Sequence, residues 1–414
     1  MFFKNIPTNW RLENISDTVF FQEGPGVRKT QFTENGVKLL NVGNINSNKI
    51  KLSATKIYIS EEEAYGRYKH FLVEDGDLLI ACSGIVVKTF HKKISFITKK
   101  DLPLCLNTST MRFRTLDDKN LDINFFKFFL MTNTFRHQLQ RLITGSAQLN
   151  FGPSHIKKMF IPLPSLPQQE KIVKVLDISS QLIEKQKELI TKYDLFLKSK
   201  FIEMFGDPIK NPMEWEVEKL INLIKPYKGA MRTGPFGSSL KKEFYVKDGY
   251  KIYGQEQVIK NNFDHGDYYI GTERYETLKG YSIKENDILI SLVGTFGKIA
   301  IVPKSFEAGI INPRLMKISL DTSLYNSVFF KDLFYTEGFK AQLLNFSHGG
   351  TMGILNLTIL KELKYIKPPI ELQNKFASIV KKTETIKVKE TQKLEYLETL
   401  HKSLMDKAFK GEIK

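Results

Sequence analysis

The feature that most restricts this chain is that it is written twice. Its two tryptophans each sit in a similar passage, Ile6–Leu12 around Trp10 and Asn211–Val217 around Trp215. Pro7 falls on Pro212 and Ile15 on Leu220, all about 205 residues apart. The match then continues along both halves. Asp75–Gly84 corresponds to Glu285–Gly294, Asn107–Phe113 to Asn312–Ile318, Gly145 and Ser146 to Gly350 and Thr351, and Leu163–Gln169 to Lys367–Gln373. Phe125 and Phe129 fall on Phe330 and Phe334. The offset drifts by about five residues, as loop insertions between two copies of one domain make it drift. At 414 residues the chain also exceeds one ordinary core.

Within each copy, short apolar runs follow acidic turn residues at Asp77–Ala81 and Asp287–Ser291, which predicts buried strands. Lys93–Ile97, Lys251–Tyr253 and Lys298–Val302 are further strand candidates. Phe125–Leu130 and Val328–Tyr335 carry aromatic clusters suited to helices packed on a sheet. The regular strand–helix alternation of a doubly wound fold is missing, so the expected class is mixed α/β (α+β).

Each globular part is followed by a long helix. From Pro167 to Phe205 no further Pro or Gly occurs, and Gly206-Asp207-Pro208 supplies the stop. Two apolar rows keep a seven-residue period: Val175, Leu182, Leu189, Phe196, and Leu176, Ile183, Ile190, Leu197, Met204. That spacing marks a helix packed along a partner in a supercoil, here roughly 57 Å long. The second segment, Glu371–Phe409, is less regular, with Phe376, Ile379, Val380, Ile386, Leu394, Leu397, Leu400, Leu404 and Ala408, and stops at Gly411. Neither stripe is stable alone in water. Antiparallel pairing within the chain would hold two pseudo-twofold-related domains apart on a rod. A homodimeric coiled coil would satisfy the same stripes. The expected domains are residues 1–164 and 207–368, with spacer helices at 165–206 and 369–414.

A net charge of +17 favours a polyanionic partner, nucleic acid above all, over ribosomal, membrane-surface or acidic-protein partners. No run of about 18 apolar residues predicts a membrane span, and the first residues lack the order of a signal peptide. Cys82 and Cys105 have no metal-ligand spacing and read as buried thiols, so a reducing cytoplasm is expected.

DNA readout needs amide, hydroxyl and cationic side chains on loops that enter the grooves. Gly24, Gly26, Arg28, Lys29 and Gln31 lie on one such loop, with Arg232, Gly237, Ser238, Ser239, Lys241 and Lys242 on its counterpart. Glycines there would let backbone approach a phosphate that neighbouring cations neutralise. A plain surface turn accounts for the same residues. A second pair of loops offers Ser146, Gln148 and Asn150 in one copy and Thr351 in the other. A third pair offers Ser83 and Lys88, with Thr295 and Lys298 opposite, where glycine after a strand serves packing equally well. Gly294–Lys298 lacks the glycine gap and the following Ser or Thr of a phosphate-binding loop.

The two helix ends, Lys198–Pro208 and Leu400–Ile413, with the Pro-Trp passages and Pro-rich turns before each helix, resemble the DNA specificity subunits of type I restriction–modification enzymes. The resemblance spans essentially the whole chain. It implies two target-recognition domains that read a bipartite, asymmetric double-stranded DNA site, separated by antiparallel helices. Two methyltransferase subunits would dock on that scaffold, joined by restriction (motor–nuclease) subunits. S-adenosylmethionine, ATP and magnesium would be bound by those partners, none by this chain. Lys367 in place of Leu163, and Glu371-Leu372-Gln373 in place of a glutamine-rich turn, depart from the pattern and question whether both halves grip their methyltransferase subunit identically. The alternatives are the specificity chain of another multisubunit methylase–nuclease, or a DNA methyltransferase itself. The latter needs an Asn/Asp-Pro-Pro-aromatic segment, and Asn312-Pro313-Arg314 and Asn211-Pro212-Met213 both lack it. A protein-binding coiled-coil scaffold is a further alternative. The seven histidines are scattered and read as structural.

Overall fold

The computed structural model describes residues 6–143, 148–293, 297–345 and 357–413. It divides into two compact units, Met1–Lys187 with Lys393–Lys414, and Glu188–Gln392. Each long helix is therefore shared between units, and each unit contains a stretch of both.

In the first unit an antiparallel sheet runs Val19–Glu23, Thr110–Thr115, Leu78–Ala81, Ile94–Phe96. The second unit repeats it as Met231–Thr233, Leu315–Ile318, Ile288–Ser291, Ile299–Ile301. The central strands are buried on both faces, which is why they read as unbroken apolar runs. Each unit adds a second sheet containing one parallel pair, Leu104–Leu106 on Val37–Leu40 and Gly309–Ile311 on Tyr250–Tyr253. Helices Ile123–Met131 and Ser327–Phe334 pack on the main sheets through phenylalanines.

Their N-caps correct one expected correspondence. Asp122 accepts from Asn124 N–H, and Asn326 accepts from Val328 N–H. The caps equate Phe125 with Phe329, not Phe330. A helix with phenylalanine at four of its nine positions aligns almost as well one residue out, and only the cap fixes it.

The long helices run Leu166–Phe205 and Ile370–Ala408. In the first unit Ser179 Oγ lies 2.7 Å from His401 Nδ1, and Lys187 pairs with Glu398 at 3.1 Å. In the second, Lys387 reaches Asp194 at 2.6 Å while Phe201 packs on Phe376. In each unit residue numbers rise along one helix as they fall along the other, so the pairing is antiparallel and within the chain.

Leu176, Ile183, Leu197 and Phe376 are buried in this seam, and Ile190, Met204, Ile379, Leu394, Leu397 and Leu404 are half-buried. The second apolar row is different: Leu182 and Phe196 are exposed, as are Ile386 and Leu400 on the other helix. The buried positions between the apolar ones are Ser179, Gln186 and Thr383. Two adjacent rows share one seven-residue period, so periodicity alone cannot say which faces the partner.

Each helix start is pinned to its globular part by one buried glutamine. Gln169 Oε1 accepts from Asp122 N–H (2.9 Å) and its amide donates to the carbonyls of Asn120 and Pro164. Gln373 does the same with Asn326 N–H (2.9 Å) and the carbonyls of Leu324 and Pro368. The departure at Glu371-Leu372 thus leaves the clamp unchanged. Lys367, opposite Glu216 in its strand pair, forms an ion pair with it at 3.1 Å. Gln373→Leu should cost about 2–4 kcal/mol, because it strands a buried N–H and two carbonyls. Denaturant unfolding measures this, and a change below 0.5 kcal/mol (about the noise of a surface substitution) contradicts it.

Asp332, on the helix Ser327–Phe334, is one pH-sensitive group of the second unit. Burial pushes its carboxyl from 3.8 up to about 6, with Lys331 and Lys387 opposing and Glu384 adding. The folded pKa lies above the unfolded one, so the folded state keeps its proton longer. The stability contributed by this one proton is fully present below about 4 and is lost as pH rises to about 6. Asp332→Asn should therefore stabilise the protein at pH 7 by on the order of 2 kcal/mol, with no gain at pH 3.5. Equal effects at both pH values would contradict this assignment.

Candidate nucleic-acid interface

The glycine loops are pinned from inside. Gly24 donates its N–H to Thr110 O (3.1 Å), and a Cβ added to it would overlap the backbone of Asn107. Gly234 donates to Leu315 O (2.9 Å) and meets Asn312 in the same way. The close approach at Gly24 is thus to the protein's own backbone. Gly26 is exposed, and a Cβ there would meet nothing nearer than 3.9 Å.

Around these anchors the predicted contact residues divide. Arg28 and Lys29 are exposed. Gln31 is engaged: its amide donates to Glu63 (2.6 Å) and Tyr68 (3.0 Å), and its oxygen accepts from Arg28 N–H (3.0 Å). In the second unit Arg232 stacks on the Tyr281 ring at 3.7 Å, and Lys241 pairs with Glu243 at 3.4 Å. Ser239 lends its carbonyl to Arg274. Lys242 is exposed with no ion pair among the described residues. Gly237 and Ser238 lie in a short 3-10 turn, Gly237–Leu240.

Two separate predicted loops of the first unit prove to be one surface. Asn150 Oδ1 accepts from both Ser83 Oγ (3.0 Å) and Gly84 N–H (2.8 Å). Gln148–Leu149 pairs as a strand with Ile85–Val86, and Lys88 follows in the turn Val87–Lys92. Asn150 is exposed, so its amide hydrogens remain for a partner. Lys298 is exposed, its N–H bound to Ser291 Oγ (3.0 Å). Ser146, Thr295 and Thr351 lie outside the described residues.

Burial drives both thiols up, Cys105 to about 12, so neither is a reactive thiolate. Among the described residues no group of three His, Cys, Asp or Glu is placed to hold a metal ion, and no helix is long and apolar enough to cross a membrane.

Sequence reasoning did not single out Gln255 and Arg314. They border a cleft of about 640 Å³ in the second unit with Lys242, Tyr245, Tyr268 and Asn312. A signal was available: Arg314 occupies the position of Ser109, a cation in one copy only.

A mixed α/β module that occurs twice, each copy clamped to a long helix and exposing amide and cationic loops, defines a recognition subunit. The model of the type I restriction modification DNA specificity domain matches the chain twice, over residues 7–192 and 214–399. The chain belongs to that family, whose members recognise DNA and do not catalyse.

Among relatives, it is 28% identical over 190 residues to the type I restriction enzyme MjaVIII specificity subunit of Methanocaldococcus jannaschii. That stretch covers 45% of this chain and 44% of that subunit. The MjaIX specificity subunit of the same organism is 23% identical, over 86% of this chain and 84% of its own. The crystal structure of the type I restriction-modification system S subunit from M. genitalium shares the fold, with a TM-score of 0.52 at 17% identity, covering 98% of this chain and 96% of that one.

Proposed function

We propose that the chain reads a bipartite, asymmetric DNA site, one part with each copy, and serves as the scaffold for methyltransferase and restriction subunits. The observation that carries this reading is one fold used twice with different side chains on its loops. Two unlike readers on one chain suit two unlike half-sites separated by unread base pairs. S-adenosylmethionine, ATP and magnesium would then be handled by the partner subunits, and the assembly would work in the cytoplasm on the cell's own and incoming DNA.

Binding to duplex DNA should weaken steeply with salt, because each phosphate neutralised contributes about −0.9 to the slope of log K against log salt. Lys242→Ala should flatten that slope by about 0.9. A flat profile for the unaltered chain would contradict DNA reading. Titration of the isolated chain with S-adenosylmethionine should show no binding, and saturable binding would favour a methyltransferase instead.

A further inference from the structure

The two copies share one backbone frame beside the second sheet and furnish it differently. The frame is held alike: Asn41 N–H donates to Asn44 Oδ1 at 2.9 Å, and Gly254 N–H donates to Gln257 Oε1 at 2.9 Å. Asn107 and Asn312 open equivalent turns against it.

In the first unit the furnishing is self-contained. Asn107 donates its amide to Asn41 Oδ1 (2.6 Å), and Ser109 Oγ accepts from Val42 N–H (3.1 Å). In the second unit Gly254 replaces Asn41, and even a Cβ there would come within 2.8 Å of Asn312 Nδ2. Arg314 replaces Ser109, is exposed, and bonds through its N–H to Asn312 Oδ1 at 2.9 Å. Among the described residues its guanidinium has no hydrogen bond or ion pair, nor has the Lys242 ammonium. Both open onto the cleft with Tyr245 and Tyr268, whose rings lie 5.6 Å apart.

Copies that read different half-sites must agree where they hold the frame and differ where they touch bases. We infer that this cleft is the base-reading surface of the second copy and that Arg314 is a specificity-determining residue. Its planar fork of donors matches the O6 and N7 acceptors that guanine shows in the major groove. Lys242 holds an adjacent phosphate, which positions the duplex without reading it. The inference rests on the chain being a sequence-specific DNA reader.

The test is selection of bound duplexes from a randomised pool by the full chain, followed by sequencing. The unaltered chain should enrich a two-part motif. Arg314→Ser should keep one part intact and lose a guanine preference of about ten- to a hundredfold at one position of the other. Arg314→Lys keeps the charge and loses the fork, so it should lose the same preference. An unchanged motif from both variants, whether or not binding weakens, overturns the role of Arg314. Absence of any motif from the unaltered chain overturns DNA reading itself.

Discussion

Residues 1–206 made alone should be folded only as a dimer. The core of the first unit takes Leu404, Met405, Ala408 and Phe409 from the segment Lys393–Lys414, which this fragment lacks. Phe409 packs on Phe125 at 5.1 Å between ring centroids, as Phe205 packs on Phe329 at 4.7 Å. Gly411, at φ +72, closes on Pro7 as Gly206, at φ +74, closes on Pro212. Residues 188–206 of a second fragment therefore offer an equivalent plug, and two fragments can complete each other. Sedimentation should show a dimer whose dissociation on dilution coincides with loss of helix signal. Selection by that dimer should yield a symmetric site built from one half of the parent's motif. A stably folded monomer would contradict this.

Phe205→Ala should destabilise the second unit by about 3–5 kcal/mol. Phe205 is fully buried and meets Phe201, Phe329 and Phe376. Its carbonyl also accepts the Trp215 indole N–H at 3.0 Å, which ties the helix end to the Pro-Trp passage. The corresponding Phe409 is only half-buried, so Phe409→Ala should cost about 1–2 kcal/mol less. Chemical denaturation of the two variants makes the comparison, and equal losses would contradict the difference in packing.

The repeat was legible because tryptophan is rare, and two copies at matched spacing leave little freedom of alignment. The strands were legible for a related reason: runs such as Leu78–Ala81 and Ile288–Ser291 are buried on both faces. Register within the phenylalanine-rich helices was not, since neighbouring rings substitute for one another in any pattern match. Asp122 and Asn326, the capping residues, held the answer in the sequence itself. The helix seam was half legible. Its apolar row stood out, but Ser179, Gln186 and Thr383 are buried by the partner helix, and no hydrophobic period announces a polar residue.

The loops were the least legible part. A glycine that approaches a phosphate and one that approaches Asn107 look alike in sequence, and so do a free glutamine and Gln31, held by Glu63 and Tyr68. Arg314 was visible as a residue but lacked meaning until the fold placed it on one cleft with Lys242.

The most direct measurement is a genome-wide map of methylated adenines in cells carrying this chain with the proposed methyltransferase partner, against cells lacking the chain. The expected map holds one gapped motif with two unlike parts, an adenine modified in each, and it disappears without the chain. A continuous or symmetric motif, or a map that survives removal of the chain, would contradict two unlike readers on one subunit.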